Sequence, residues 1–177
     1  MYFALQVAVH KEKKFIEQIK KLIGNSDFCN FIYLDRELKI HRQGKTAVEL
    51  QPVFAGYVFL QAEDKIPADI YQIIKKNNFF YRFLKSNHDI TPLNEHDLSI
   101  LQHFLKVGTT AGTSRVYFDS NDRIVVESGP LKGLEGNIIK VDKRKQRAKI
   151  QLDFENSPMI LDLSFDIIAK AEVKKEI

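Results

Sequence analysis

The sequence predicts an α+β chain in two parts: an N-terminal α/β sandwich of split βαβ type, then a small, strongly curled β-barrel. Three observations carry this. Apolar residues follow strand and helix periods in turn over the first hundred positions. A Gly/Thr/Ser-rich stretch, Lys106-Val-Gly-Thr-Thr-Ala-Gly-Thr-Ser-Arg115, then interrupts that periodicity. Beyond it only short strands and turns recur, and so few short strands bury a core only by closing on themselves. The domains are therefore placed at 1–105 and 121–177, with a linker at 106–120.

In the first domain Tyr2–Val9 reads as a buried strand. Phe15, Ile16, Ile19, Leu22 and Ile23 follow with helical spacing, leaving Lys11, Lys13, Lys14, Lys20 and Lys21 toward solvent. Gly24 and Asn25 suit a left-handed helix terminus. Phe31–Leu34 is a short strand, and Leu38–His41 with Thr46–Leu50 a polar hairpin turned at Gln43-Gly44. Ala55–Gln61 is a central strand dense in aromatics. Pro67 opens a second helix with Ile66, Ile70, Ile73 and Ile74 on one face and Lys75 and Lys76 in its last turn. Phe79–Leu84 returns as a strand, and Asn94 caps a third helix bearing Leu98, Leu101, Phe104 and Leu105. This order of elements is that of the split βαβ sandwich.

In the second domain Arg123–Val126 is a strand, Gly129-Pro130 a turn and Leu134–Val141 a longer strand. Asp142–Gln146 is a charged turn, Arg147–Leu152 its hairpin partner, and Met159–Leu163 a further strand. Ile168 and Val173 bracket a last one.

Composition excludes several classes. With 44% hydrophobic and 28% charged residues the chain is ordinary globular material, and a formal charge of +4 permits a polyanionic partner without requiring one. Cys29 is the single cysteine, so neither an internal disulfide nor a Cys-rich zinc site exists. No apolar run reaches a membrane span, and the apolar start Met1-Tyr-Phe-Ala-Leu reads as strand rather than signal peptide. The expectation is a soluble, cytoplasmic monomer.

No catalytic constellation, metal site or cofactor motif emerges. Of His10, His41, His88, His96 and His103, the last two share a helix but lie two turns apart, too far for a joint metal site of metalloprotease type. Gly129, Gly133 and Gly136 lack the Lys-Ser/Thr ending of a phosphate loop, and no helix follows them. Turn and bulge glycines explain them better.

Two segments stand out. Lys140-Val-Asp-Lys-Arg-Lys-Gln-Arg-Ala-Lys149 holds six bases and one acid at a hairpin tip. Lys140, Lys143, Arg144, Lys145, Arg147 and Lys149 read either as a solubilising, edge-protecting turn or as a prong for RNA phosphates. The turn has no flanking aromatics, which favours backbone recognition over base stacking. Pro52-Val-Phe-Ala-Gly-Tyr-Val-Phe-Leu60 carries large apolar groups on both faces of one strand. Either the domain's own elements cover both faces, or one face, with Tyr2, meets a partner.

Together, in this order, these segments resemble the NusG family of transcription elongation factors. Phe54-Ala-Gly-Tyr57-Val-Phe resembles the Phe-Pro-Gly-Tyr-Val-Phe strand of the family's NGN domain. Asn121-Asp-Arg-Ile-Val-Val126, Ser128-Gly-Pro-Leu-Lys-Gly-Leu-Glu-Gly136 and Ile139-Lys-Val-Asp142 resemble its KOW domain. The second stretch is most similar to the specialised LoaP paralogues, processive antiterminators of long operons. The resemblance implies that Phe54, Tyr57 and Tyr2 dock on the clamp helices of RNA polymerase. It implies that the basic turn binds a hairpin in nascent leader RNA. Lys11, Lys13 and Lys14, or Lys39, Arg42 and Lys45, then read as contacts to upstream DNA or as a solvated face. Ala55 departs from the family's proline, Val9-His10 from its glycine after the first strand, and Glu155-Asn156 from its Gly-Arg. The last change favours a specialised factor over the housekeeping one. The alternatives are a general elongation factor of this family and a ribosome-associated KOW protein that binds RNA.

Overall fold

The computed structural model describes residues 1–24, 29–84 and 90–169, so Asn25, His88 and Val173 lie outside the described residues. The chain divides into two compact units, 1–34 with 54–99, and 35–53 with 100–177.

The first unit holds β1 (Tyr2–Val7), α1 (Glu12–Ile23), β2 (Cys29–Ile32), β5 (Tyr57–Ala62), α2 (Ala68–Lys75), β6 (Phe80–Phe83) and the start of α3 (Glu95–Lys106). Its sheet has the order β2-β5-β1-β6, all antiparallel, as a split βαβ sandwich requires. Phe15 and Ile19 of α1 and Ile70 and Ile74 of α2 bury themselves with Phe3, Leu5, Val58 and Leu60 of the sheet. Leu22, expected in that stripe, is 68% exposed. The i+4 series Phe15, Ile19, Ile23 is the one that turns to the core, and Leu22 falls beside it. Gly24 ends α1 at φ +66°, its N–H donating to the Lys20 carbonyl. Asn94 caps α3 through a 2.8 Å bond from the Asp97 N–H to its Oδ1.

The second unit joins a hairpin from the middle of the chain to the C-terminal strands. β3 (Asp35–Arg42) and β4 (Lys45–Pro52) turn at Gln43 and Gly44, both at positive φ, and pair with β7 (Thr110–Ala111) in one sheet. The other sheet runs β10-β11-β12-β8-β9, comprising β8 (Ser114–Phe118), β9 (Ile124–Ser128), β10 (Ile138–Asp142), β11 (Arg147–Phe154) and β12 (Ser157–Ile167). Alternation along β11 and β12 buries Ala148, Ile150, Leu152, Phe154, Leu161, Leu163 and Phe165, and Ser164, on the opposite face of β12, is buried as well.

Two local expectations change. The stretch read as linker, 106–120, contains β7 and β8, because β8 pairs in parallel with Phe165–Ile167 and antiparallel with β9. Such a pairing joins residues fifty positions apart and leaves no local signal. The long strand expected at Leu134–Val141 begins instead as a 3-10 turn, Glu135–Asn137. Gly136 and Asn137 favour turns over strands, and the Asn137 N–H closes this one on the Leu134 carbonyl at 2.9 Å.

Candidate docking face and nucleic-acid interface

The register of β1 on β5 pairs Tyr2 with Gln61, Ala4 with Phe59 and Gln6 with Tyr57. Alternation therefore sets Tyr2, Ala4, Gln6, Tyr57, Phe59 and Gln61 on one face, opposite the face that α1 and α2 cover. Ala4 and Phe59 are buried at its centre, Tyr2 and Tyr57 are half-buried, and Gln61 is exposed. Gln6 Oε1 accepts from Arg82 Nε at 2.8 Å, so the rim is polar. Phe54 is only 2% exposed and meets Phe59 edge-on, centroids 5.0 Å apart. It backs this face instead of projecting from it.

The loop before β5 is fixed from beneath. Gly56, at φ +80°, donates its N–H to Glu12 Oε1 at 2.7 Å, and its carbonyl accepts from the Val7 N–H at 2.8 Å. Glu12 is itself 2% exposed. A Cβ at position 56 would stand 3.2 Å from Val9 Cγ2. The Gly-Tyr step is thus held to one geometry by a buried carboxyl that no sequence motif flagged.

The basic turn spans β10 and β11. The registers place Lys140, Lys149 and Asp162 in one row across three strands. Two like charges side by side repel. Asp162 Oδ1, 3.3 Å from Lys149 Nζ, offsets part of that repulsion. Lys140, Asp142, Lys145, Arg147, Lys149 and Asp162 line a cleft of about 240 Å³, four cations against two carboxylates. The Lys145 N–H bonds Asp142 Oδ1 at 2.9 Å. That backbone bond, then the charges of Lys145 and Lys140, hold the Asp142 carboxyl below the usual carboxylate range. The cleft keeps its acid ionised and an excess of positive charge facing solvent, which suits an anion.

The six bases singled out in the sequence do not act as one group. Lys140, Lys145, Arg147 and Lys149 converge on the cleft, and Arg144 is exposed at the tip. Lys143 turns away, its Nζ bonded to Asp122 and 3.9 Å from the centroid of Phe118. Arg147 Nη2 donates to the Lys39 carbonyl, while its Nε is buried without a hydrogen-bond partner among the described residues. Lys39, read as DNA contact or solvated face, is half-buried, its side chain 15% exposed. Its N–H donates to Ser164 Oγ at 3.1 Å, and its Nζ meets Gln146 Oε1 at 3.1 Å and Asp166. Lys45 is exposed, as are Lys11, Lys13 and Lys14, the last two lying over the rings of Tyr33 and Phe79. The side chain of Arg42 lies outside the described residues.

Sequence reasoning missed Phe118, Asp122 and Asp162, and it saw Lys39 only as a surface base, not as a partner of Ser164, Gln146 and Asp166. Each enters through pairing between distant strands, which periodicity does not encode. Among the described residues no group of three or more His, Cys, Asp or Glu could hold a metal ion, and no helix is long and apolar enough to cross a membrane. Cys29 is buried, and that burial, then the charge of Asp69, pushes its thiol up.

Residues 1–102 match the family model described as transcription termination factor nusG. The chain is 23% identical over 184 residues to the transcription termination/antitermination protein NusG of Synechocystis sp., covering 96% of this chain and 88% of the relative. It is 21% identical over 182 residues to the protein of the same description from Borreliella burgdorferi, covering 96% and 97%. A solved structure of Thermotoga maritima NusG is similar at 14% identity and a TM-score of 0.48, over 92% of each chain.

Proposed function

The chain belongs to the NusG family of transcription termination and antitermination factors, which are not enzymes, and from that premise we propose that it rides on RNA polymerase as a specialised, LoaP-type antiterminator. The sheet face bearing Tyr2 and Tyr57, backed by Phe59 and Phe54, docks on the clamp helices of the polymerase and holds the clamp closed against pausing. The cleft of the basic turn takes the phosphates of a hairpin in the nascent leader RNA and so selects the operons served.

One observation carries the polymerase reading. The β1–β5 register brings Tyr2 and Tyr57, far apart in sequence, to one sheet face as half-buried aromatics, with Ala4 and Phe59 packed between them and Gln6 bonded to Arg82 at the rim. Partly exposed aromatics beside a polar rim suit a protein interface. The specialised role is supported by Glu155-Asn156, both at positive φ in the two-residue turn joining β11 to β12, where the general factors carry Gly-Arg.

The test is binding of the full chain to core RNA polymerase, beside Tyr57→Ala and Tyr2→Ala. Loss of an aromatic anchor at an interface centre costs about 2 kcal/mol, roughly thirtyfold in affinity. Tyr57→Ala is expected to show that loss while keeping the wild-type melting curve. Phe54→Ala is a poorer probe, because its ring is core and its removal destabilises the fold. Absence of binding by the folded wild-type chain would sink this mechanism and leave RNA binding by the KOW segment as the function to pursue.

A further inference from the structure

Arg147 serves two places. Its guanidinium lines the cleft with Lys140, Lys145 and Lys149, and its Nη2 donates to the main-chain carbonyl of Lys39 on β3. Lys39 is held by the same strands at two further points, its N–H on Ser164 Oγ and its Nζ on Gln146 Oε1 and Asp166. Lys39 thus pins the hairpin β3–β4 to β11 and β12, and the pin includes an arm of the anion cleft.

The guanidinium is poorly served there. Its Nε is closed off from solvent with no acceptor among the described residues, an unfavourable state for a buried donor. Nε and Nη2 form the side of the fork that grips a phosphate through two parallel bonds. A single carbonyl oxygen satisfies one of them.

We propose that Arg147 is a switch arm, held by the Lys39 carbonyl in the free chain and taken over by an RNA backbone phosphate seated between Lys140 and Lys145. The phosphate fills both Nε and Nη2, the Lys39 carbonyl loses its donor, and the β3–β4 hairpin loosens from β12. This rests on the reading of the cleft as an RNA site. Competition for one group makes the coupling reciprocal: whatever weakens the hairpin's hold on Arg147 strengthens RNA binding by the same factor.

The reciprocity gives a test in which charge and switch predict opposite signs. Lys39→Gln removes a positive charge, so electrostatics alone weakens RNA binding. Losing the Nζ bonds to Gln146 and Asp166 frees this part of β3, so that its carbonyl gives up Arg147 more readily, and the switch therefore predicts tighter binding, by roughly fivefold or more. The probe is a labelled 20-base-pair RNA hairpin, titrated against the full chain, Lys39→Gln, Arg147→Lys and the double variant. In the Arg147→Lys background the gain from Lys39→Gln is expected to vanish. A second readout needs no variant: the Lys39 amide, bonded to Ser164 Oγ, should exchange its hydrogen faster when the wild-type chain is saturated with the hairpin. RNA binding with an unchanged Lys39 amide and weaker binding by Lys39→Gln would overturn the switch and leave the RNA site standing. No binding by any of the four proteins would overturn both. Equal binding and equal release by the matching DNA hairpin would overturn the assignment to RNA.

Discussion

Glu12 shows how a single side chain can fix the loop beside the proposed docking face without touching a partner. It sits one residue into α1, where a carboxylate also suits the positive end of the helix dipole, and its Oε1 takes the Gly56 N–H at 2.7 Å. Glu12→Ala leaves that buried N–H without an acceptor, which costs about 1–3 kcal/mol and is measurable as a lower urea midpoint. Glu12→Gln keeps an acceptor and should recover most of the loss. A Glu12→Ala midpoint equal to wild type would show that the loop before β5 finds another partner. At the same scale, the basic cluster divides by what each base already holds. Lys143 is bound to Asp122 and Phe118, and Lys149 to Asp162, so in the proposed reading the phosphate falls to Lys140, Arg144, Lys145 and the half-served Arg147.

The turn between β9 and the 3-10 segment is the element on which the second unit depends. Gly129 stands at φ +93°, and a Cβ there would lie 2.6 Å from Ser114 Cα, inside the backbone of β8. Ser114 is fully buried, and its Oγ accepts from the Leu131 N–H at 2.9 Å, so the turn and β8 are locked to each other. Gly129→Ala combines a strained φ with a backbone clash, which a flexible side chain cannot relieve. The expected cost is about 3 kcal/mol or more, read as an early unfolding transition in β8, β9 and β12 by hydrogen exchange. Gly136, with nothing near its Cβ position, should accept alanine at little cost. The glycines of this segment are therefore structural, as their lack of a following helix implied, and the strain falls on one of them.

At the scale of the whole chain, the proposed function rests on what lies on each unit: an aromatic sheet face on one and a cationic cleft on the other. The ligand count of the cleft sets its salt response. If Lys140, Arg144, Lys145 and Arg147 neutralise about three to four phosphates, the log–log slope of RNA affinity against salt should be about −3, roughly sixtyfold between 50 and 200 mM. A slope near −5 in a filter-binding titration would mean that Lys143 and Lys149 leave Asp122 and Asp162 for the RNA. Most of this architecture was legible beforehand, because the helix and strand periods, the Gln43-Gly44 turn and the Asn94 cap are local patterns in which neighbouring residues constrain one another. The Phe54–Phe59 motif and the run of bases from Lys140 to Lys149 are equally local, and they sufficed to point to the family. What the sequence by itself determined is therefore the fold of each segment and the chemistry it carries. Tertiary structure alone decided which bases are spoken for, that Phe54 backs the docking face from within, and that residues 35–53 fold with the C-terminal strands. The physical reason is common to all three: each depends on strand register between distant residues, where a shift of one position exchanges the two faces of the sheet.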